Sequence, residues 1–232
     1  MDSTPRLSLV APAFNEAVVL PEFHRRCLAV LADLDCMAEI VYVNDGSTDD
    51  TLAVLKSLEA TAVSVVIVDL SRNFGKEIAL TAGLDHASGD IIVPIDADLQ
   101  DPPELIPRMI DKWREGYNVV FARRVDRAGE TWMKKFSAGM FYRFMQNIGG
   151  KVKVPANVGD FRLLDRKALE ALNQLREHHR FMKGLFALIG FRQTAIDYHR
   201  DPRFAGETKW NYWKLWNFSL EGITSFTTAP LR

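Results

Sequence analysis

The sequence has no apolar run of about 18 residues or more, so nothing in it predicts a membrane-spanning helix. Its formal net charge is only −1, so the chain as a whole does not attract nucleic acid. Only two cysteines occur, Cys27 and Cys36, and their spacing matches no metal site. Cys27 falls on the apolar side of a predicted helix, which predicts a packed, reduced thiol and a reducing compartment. The opening residues lead into a strand-like run, so we predict no secretory signal.

Two common phosphate-binding motifs are also missing. Neither the dinucleotide fingerprint GxGxxG nor the P-loop GxxxxGK[ST] occurs in the sequence. The chain instead has 47% hydrophobic and 25% charged residues, which is typical of a folded globular protein. Its 232 residues suffice for one substantial core, and no repeat or low-complexity linker divides them. We therefore predict a single domain.

The first half of the sequence alternates apolar runs with helical periodicity, which predicts an α/β fold with a mostly parallel central sheet flanked by helices. The predicted strands are Leu7–Ala11, Ile40–Val43, Val63–Leu70, Ile91–Ile95 and Val119–Ala122. Four helices are predicted. The first follows Pro21, the second follows a capping box of Ser47 and Asp50, the third spans Lys76 to His86, and the fourth runs from Leu105 to Trp113. Beyond residue 122 this alternation stops, and two amphipathic helical stretches are predicted around Trp132–Ile148 and Trp210–Leu220.

The fourth predicted strand ends in an acidic segment, IDADLQDPPE. The two-residue period of extended chain places Asp96 and Asp98 on one side, and Gln100 follows if the chain stays extended. Two carboxylates and an amide oxygen are hard ligands suited to Mg²⁺ or Mn²⁺. In open α/β sheets ligands bind at the carboxyl ends of the strands, where this segment falls. The alternative is a solvated acidic turn before Pro102.

Other predicted strand ends carry motifs of their own. The first ends in APAFNE, the second in VNDGSTDDT and the third in SRNFGKE; GDFRLLDR and AGETKWNYWKL follow later. Together with DADLQDPPE, this ordered set resembles the inverting family-2 glycosyltransferases of the GT-A fold. Within that family it is most similar to the polyprenyl-phosphate glycosyltransferases, which include dolichyl-phosphate mannose synthases and bactoprenol glucosyltransferases. The resemblance extends over almost the whole chain.

The resemblance implies one GT-A catalytic domain over residues 1–232. Its nucleotide-binding half, which is Rossmann-like, would span 1–122, and its acceptor-binding and juxtamembrane half would span 123–232. Members of this group commonly continue into transmembrane helices, so we expect that a C-terminal membrane part is absent from this sequence. The resemblance also implies work at the cytoplasmic face of a membrane, with a bacterial inner membrane favoured, and a homo-oligomer is a further expectation.

The resemblance assigns the nucleoside to the first two strand ends. It implies that Pro12, Asn15 and Glu16 border the base and ribose, and that Asp45 contacts the uridine or guanosine. A carboxylate at a strand end can accept hydrogen bonds from ribose hydroxyls or base N–H groups, which agrees with this role. Taken alone, Asp45 also fits a turn, because Asn-Asp-Gly-Ser is turn chemistry.

The diphosphate is assigned to basic residues and to Asp96. Asn73 and Lys76 precede a predicted helix N-terminus, which favours anions, although Lys76 also fits a solvated first turn. Arg203 precedes the AGETKW segment and Lys209 lies within it, and both resemble basic residues that close over the donor. Each of these two also fits a surface charge that covers apolar neighbours.

The implied reaction is the inverting transfer of a hexose from a nucleoside-diphosphate sugar to a polyprenyl phosphate. UDP-glucose is the favoured donor and GDP-mannose the alternative. A divalent ion on Asp96 and Asp98 would act as a Lewis acid at the departing diphosphate. Asp160, in GDFR, matches the family's catalytic base. A phosphate monoester has a second pKa of about 6, so this acceptor needs little proton removal, and the role of Asp160 is left open between a base and a group that orients the sugar or the acceptor.

The acceptor phosphate needs cations, and the resemblance places them after the fifth predicted strand and on the helix that follows. The candidate residues are Arg123, Arg124, Lys134, Lys135 and Ser137. Met133 stands where the family carries a helix arginine, so Lys134 or Lys135 would have to replace it. The aromatic stripe of that helix fits either a core-facing helix or one that lies on a membrane surface.

Three other functions remain in view. A transferase of the same fold could act on a polysaccharide or another hydroxyl acceptor, and a sugar-nucleotide-binding module could keep the fold without turnover. A phosphatase of the haloacid-dehalogenase type also has an Asp-x-Asp motif. In such a phosphatase the motif follows the first strand and ends in Thr or Val, whereas here it follows the fourth and ends in Leu99-Gln100.

Overall fold

The structure is a computed structural model that describes residues 4–58, 63–125, 158–175 and 182–199. The strands in these ranges are β1 (Arg6–Ala13), β2 (Met37–Asn44), β3 (Ser64–Asp69), β4 (Ile91–Pro94), β5 (Val119–Arg124), β6 (Val158–Asp165) and β7 (Gln193–Tyr198). The helices are α1 (Leu20–Ala32), α2 (Thr51–Ser57), α3 (Lys76–His86), α4 (Ile106–Arg114), α5 (Arg166–Gln174) and α6 (Met182–Leu188), and a 3₁₀ turn (Pro103–Leu105) precedes α4. None of these helices is long and apolar enough to cross a bilayer.

The seven described strands form one sheet in the order β3-β2-β1-β4-β6-β5-β7. Within this sheet β6 alone runs antiparallel to its neighbours β4 and β5, while the other pairings are parallel. The carboxyl ends of β1 to β5 and of β7 therefore share one edge with the amino end of β6. We call this edge the site edge. The reversal of β6 brings residues from late in the sequence to the carboxyl ends of the strands from the first half of the chain.

The sheet is buried on both faces, which explains why its central strands are almost continuously apolar. Along β1, Leu7 and Leu9 pack into the core on one face, with Phe23 of α1 and Met109 of α4. Neighbouring positions of the sheet pack into the core on the other face, where α3, α5 and α6 contribute Leu80, Leu84, Leu169 and Leu185. In the described residues, helices therefore cover both faces of the sheet.

A buried polar network fastens the sheet at the edge opposite the site edge. Glu39 of β2, only 2% exposed, accepts hydrogen bonds from Ser8 Oγ at 2.5 Å and from the Ser88 backbone N–H at 2.7 Å. Arg6 Nη2 lies 2.9 Å from the other oxygen of the same carboxylate. Burial raises the pKa of Glu39, but these hydrogen bonds and the arginine outweigh it, so the pKa is lowered. The ionised carboxylate therefore stabilises the fold.

The predicted fold class is confirmed, and the five predicted strands and four predicted helices are all present with small shifts of their bounds. The predicted capping box is wrong, because α2 begins at Thr51 with Asp50 as its N-cap residue, and the Ser47 hydroxyl accepts from the Asn15 amide instead. The sequence patterns did not predict β6, β7, α5 or α6. The aromatic stretches around Trp132 and Trp210 lie outside the described residues.

Candidate active site

The loops after β1 and β2 are tied together at the site edge. Asn15, with a φ of 54°, donates its backbone N–H to Ser47 Oγ at 3.0 Å, and its side-chain oxygen accepts from the Thr48 N–H at 2.8 Å. The Glu16 N–H donates to Thr51 Oγ1 at 2.8 Å. Asn15 therefore joins the two loops through its backbone and its side chain. The role of these loops in binding a nucleoside, with Pro12 at the end of β1, stays a prediction.

Asp45 fastens the loop after β3. It is 3% exposed, and its two carboxylate oxygens accept from the backbone N–H groups of Phe74 at 2.7 Å and Gly75 at 3.0 Å. Burial raises the pKa of Asp45, and although the two amides oppose this, the pKa stays above its usual value. The geometry gives Asp45 a structural task, to hold the backbone next to Asn73 and Lys76. Its direct contact with a nucleoside stays a prediction.

Gly46 makes this approach of two loops possible. Its φ is 60°, in the left-handed region. A Cβ on Gly46 would lie 2.2 Å from the backbone carbonyl carbon of Arg72 and 2.4 Å from the Asn73 nitrogen. Only glycine fits this position, because the third loop passes directly against it. The turn motif NDGS contains Gly46, but the sequence alone does not predict the close approach of the third loop.

Lys76, the first residue of α3, joins two acids from different strands. Its Nζ lies 2.7 Å from Asp160 Oδ2 on β6 and 2.8 Å from the carboxylate of Asp96 after β4. Burial opposes the charged ammonium, but the two carboxylates outweigh it, so the pKa of Lys76 is raised. Burial raises the pKa of Asp96. The positive charge of Lys76 lowers this pKa, but the nearby negative charges of Asp160 and Asp101 raise it, and the pKa stays above its usual value. The predicted site residues Lys76, Asp96 and Asp160 are thus brought together.

Arg162 supports Asp160 from within the core. Its side chain is buried, with Nη2 donating to the Gly159 carbonyl at 2.6 Å and its guanidinium 3.6 Å from the centre of the Phe186 ring. Burial lowers the pKa of Arg162 to about 10, against the charges of Asp160 and Glu77, which favour the cation. Arg162 therefore stays charged near neutrality. The GDFR motif contains Arg162, but the sequence pattern predicts no role for this residue.

The acidic segment turns after Asp96 instead of staying extended. Leu99 is buried with a φ of 60°, and Asp98, itself buried, accepts from the Gln100 backbone N–H at 3.1 Å. The extended register that would carry Gln100 to the side of the two aspartates is therefore not formed. The predicted ligand role of Gln100 stays a prediction.

The oxygen donors of this segment fit a hard divalent ion such as Mg²⁺ or Mn²⁺. In the part of the chain that the structure describes, no cluster of three or more His, Cys, Asp and Glu side chains is arranged to hold a metal ion. Asp96 and Asp98 would therefore supply part of a ligand set, with water or a substrate diphosphate completing it. Mg²⁺ in particular is commonly bound through one or two carboxylates plus substrate phosphates.

A second cluster holds the end of the acidic segment. Asp101, 1% exposed, accepts a hydrogen bond from the Tyr198 hydroxyl at the end of β7. Arg124 donates from Nε to the Tyr198 oxygen at 3.1 Å, and its Nη2 lies 3.7 Å from Asp101. Sequence reasoning missed Asp101 and Tyr198, because this pairing joins residues 97 positions apart in the chain.

The two arginines predicted to bind the acceptor phosphate have separate partners. Arg124 belongs to the cluster just described, whereas Arg123 forms a two-point ion pair with Asp197 at 2.6 and 3.0 Å. The Arg123 side chain is still 51% exposed in this ion pair. The acceptor role of both arginines stays a prediction. The remaining predicted residues lie outside the described ranges: Lys134, Lys135, Ser137, Arg203 and Lys209.

Comparison with known proteins agrees with this architecture. The model of the family described as "Glycosyl transferase family 2" matches residues 8–172. A crystal structure of glucosyl-3-phosphoglycerate synthase from Mycobacterium tuberculosis, in complex with Mn²⁺ and UDP-glucose, superposes with a TM-score of 0.59. That match covers 95% of this chain and 77% of the other at 19% identity, and it shows the GT-A fold alone.

Two relatives match almost the whole chain. An uncharacterized glycosyltransferase of Synechocystis sp. is 55% identical over 229 residues, covering 99% of this chain and 72% of that protein. A prophage bactoprenol glucosyl transferase homolog of Escherichia coli is 45% identical over 227 residues. This match covers 98% of this chain and 74% of the E. coli protein. The predicted resemblance is confirmed. A family match over residues 8–172, with relatives this similar over nearly the full length, shows that the chain belongs to glycosyltransferase family 2.

Proposed function

We propose that this glycosyltransferase transfers a hexose, with inversion, from a nucleoside-diphosphate sugar to a polyprenyl phosphate, and that it requires Mg²⁺ or Mn²⁺. The observation that carries the proposal is the junction of Asp96 and Asp160 through Lys76. It places an acid from the predicted metal segment beside an acid from the second half of the chain. The name of the E. coli relative, a bactoprenol glucosyl transferase homolog, supports the acceptor class and glucose as the sugar.

The donor would lie along the site edge. The interlocked loops around Asn15 and Asp45 would receive the nucleoside, and the diphosphate would lie near Asp96 and Asp98. A divalent ion held by these two aspartates would supply Lewis-acid neutralisation of the leaving diphosphate. Residues 1–122 would thus bind the donor, and residues 123–232 would bind the acceptor and contribute Asp160.

In the proposed reaction an acceptor phosphate oxygen forms a bond to the anomeric carbon as the bond from that carbon to the diphosphate oxygen breaks. Attack opposite the leaving group inverts the configuration. Because the acceptor is largely dianionic near neutrality, Asp160 need not remove a proton. Asp160 would instead orient the sugar or the acceptor, and the cations of Lys76 and Arg162 would reduce its repulsion of the incoming phosphate.

A metal-dependence assay tests this proposal. Purified protein is mixed with UDP-glucose or GDP-mannose, with Mg²⁺, Mn²⁺ or EDTA, and with undecaprenyl phosphate or a sugar that offers only hydroxyl groups. We expect a glycolipid and nucleoside diphosphate to form together only with metal and the lipid phosphate. Asp96→Asn and Asp98→Asn should each lower the rate by about 10²- to 10³-fold, the usual loss when one electrostatic contact to the transition state is removed. Asp111→Asn, on the exposed face of α4, is the matched control.

The alternatives give different products in the same assay. Transfer to the hydroxyl sugar alone would indicate a transferase of the same fold with another acceptor, and nucleotide binding without product would indicate a binding module. Undiminished transfer by Asp96→Asn and Asp98→Asn in EDTA would refute the metal-dependent mechanism. A polyprenyl acceptor further implies that the enzyme works at a membrane surface, and we propose the cytoplasmic face.

A further inference from the structure

The Lys76 ammonium lies against two carboxylates at once. Its Nζ is 2.7 Å from Asp160 Oδ2 and 2.8 Å from both oxygens of Asp96. These acids are distant in sequence but belong to neighbouring antiparallel strands, since Asp96 follows β4 and Asp160 lies on β6. The ammonium is therefore the link between the predicted metal segment and the predicted catalytic acid.

This arrangement competes directly with the proposed metal. Mg²⁺ binds its oxygen ligands at about 2.0–2.1 Å, and its ligand atoms here would be the same oxygens of Asp96 that the ammonium now contacts. Two cations at one carboxylate repel each other strongly where water is partly excluded. Asp96 cannot keep its full contact with Lys76 and also ligate a metal, so one cation has to give way.

Lys76 is the cation that can move. Its side chain is 41% exposed, and a lysine side chain has a flexible four-carbon stem with three rotatable donors. Gly75, just before it, has open space where a side chain would otherwise stand. A ligand that brings a metal and a diphosphate together supplies Asp96 with a new cation and the ammonium with a new anion. Charge balance at the site edge is kept throughout this exchange.

We propose that Lys76 is a positioning residue that exchanges partners. Without donor it neutralises Asp96 and Asp160 together and keeps both acids in place. When the metal and the donor bind, its ammonium leaves Asp96, contacts the diphosphate, and makes Asp96 available as a ligand. The inference rests on the proposed function and adds to it that metal and nucleotide bind cooperatively, because each ligand removes an obstacle to the other.

The test measures Mn²⁺ binding in the absence of any sugar nucleotide. Free Mn²⁺ is counted by electron paramagnetic resonance during titration of the wild type, Lys76→Met and Lys76→Arg. We expect Lys76→Met to bind Mn²⁺ alone about tenfold more tightly, since its competitor is gone, and Lys76→Arg to stay within about twofold of wild type. With Mn²⁺ present, calorimetry measures the affinity of each protein for UDP and for GDP. For the nucleotide that the wild type prefers, Lys76→Met should bind about tenfold more weakly than the wild type does.

An exchange of partners predicts that Lys76→Met binds Mn²⁺ more tightly and the nucleotide more weakly. A purely structural role of Lys76 predicts instead that both affinities fall or that neither changes. Lys112→Met removes an exposed lysine that pairs with Glu115 on α4, and it should change neither affinity. Circular dichroism checks the fold, and Lys76→Gln repeats the experiment if the Met variant does not fold. Unchanged or weaker Mn²⁺ binding by the neutral variant overturns the exchange. If the wild type with Mn²⁺ binds neither UDP nor GDP, the proposed function fails as well.

Discussion

Gly46→Ala tests whether the close approach of two loops builds the site. The left-handed φ of 60° costs an alanine about 1–2 kcal/mol. The new Cβ would also lie 2.2 Å from the Arg72 carbonyl carbon, so the third loop must retreat by about 1.2 Å to reach the 3.4 Å of ordinary contact. Forcing atoms into a packed site typically costs a further 1–3 kcal/mol or so. We expect a total loss of stability of about 2–5 kcal/mol.

The same retreat should disturb ligand binding. The Phe74 amide now lies 2.7 Å from Asp45, and a displacement of that size takes it beyond hydrogen-bond range and moves Lys76 with it. Urea unfolding and calorimetric titration with UDP and GDP measure the two effects. Gly116→Ala is the matched control, because its φ of 88° is also left-handed but its nearest neighbour, at 3.3 Å, is the flexible end of Arg192. Equal destabilisation by the two substitutions, or undiminished nucleotide binding by Gly46→Ala, would refute the reasoning.

Two further predictions concern buried carboxylates. Glu39→Gln should lower the free energy of unfolding by about 2 kcal/mol at pH 7, because it replaces an ionised acceptor of several hydrogen bonds. Since the folded-state pKa of Glu39 is lowered, this stability is complete above the unfolded pKa of about 4.3 and is lost as the pH falls through the folded value. Thermal melts from pH 7 to pH 3 should therefore show the wild type converging on Glu39→Gln, and a difference that is constant with pH would contradict this. Tyr198→Phe should lower the free energy of unfolding in urea by about 2 kcal/mol, because it removes a hydrogen bond to buried Asp101. The control Tyr117→Phe should lower it by less than about 0.5 kcal/mol. Equal losses for the two variants would contradict the proposed role of the Asp101 cluster.

The strongly periodic half of the chain could be predicted from its sequence. The four strands β1 to β4 are apolar runs followed by turn residues, and α3 begins and ends where its pattern predicts, at Lys76 and His86. Parallel strands bring their carboxyl ends together by geometry, so the acidic and amide residues at those ends predicted a site at one edge. Lys76, Asp96 and Asp160 were named from motifs alone, and the structure joins them.

What the sequence could not predict depends on contacts between distant segments. The polar residues within VGDFRLLD obscured the pattern of β6, because Arg162 is a charged residue that is buried by packing on Phe186. The partners of Asp101 and Arg124 come from β7, which no local pattern places beside them. The turn at Leu99 likewise breaks the alternation that would have aligned Gln100, and backbone conformation of this kind is set by tertiary packing.

Among the described strands β6 alone is reversed, and this has a consequence for how the chain could change. Because β6 runs opposite to β5, residue 125 and residue 158 stand at the same rim of the sheet, and β7 also ends there. The two attachment points of the connection between β5 and β6 therefore both lie at the site edge, close to Asp160. Exchanging the residues between these two attachment points would therefore leave the register of the described strands intact.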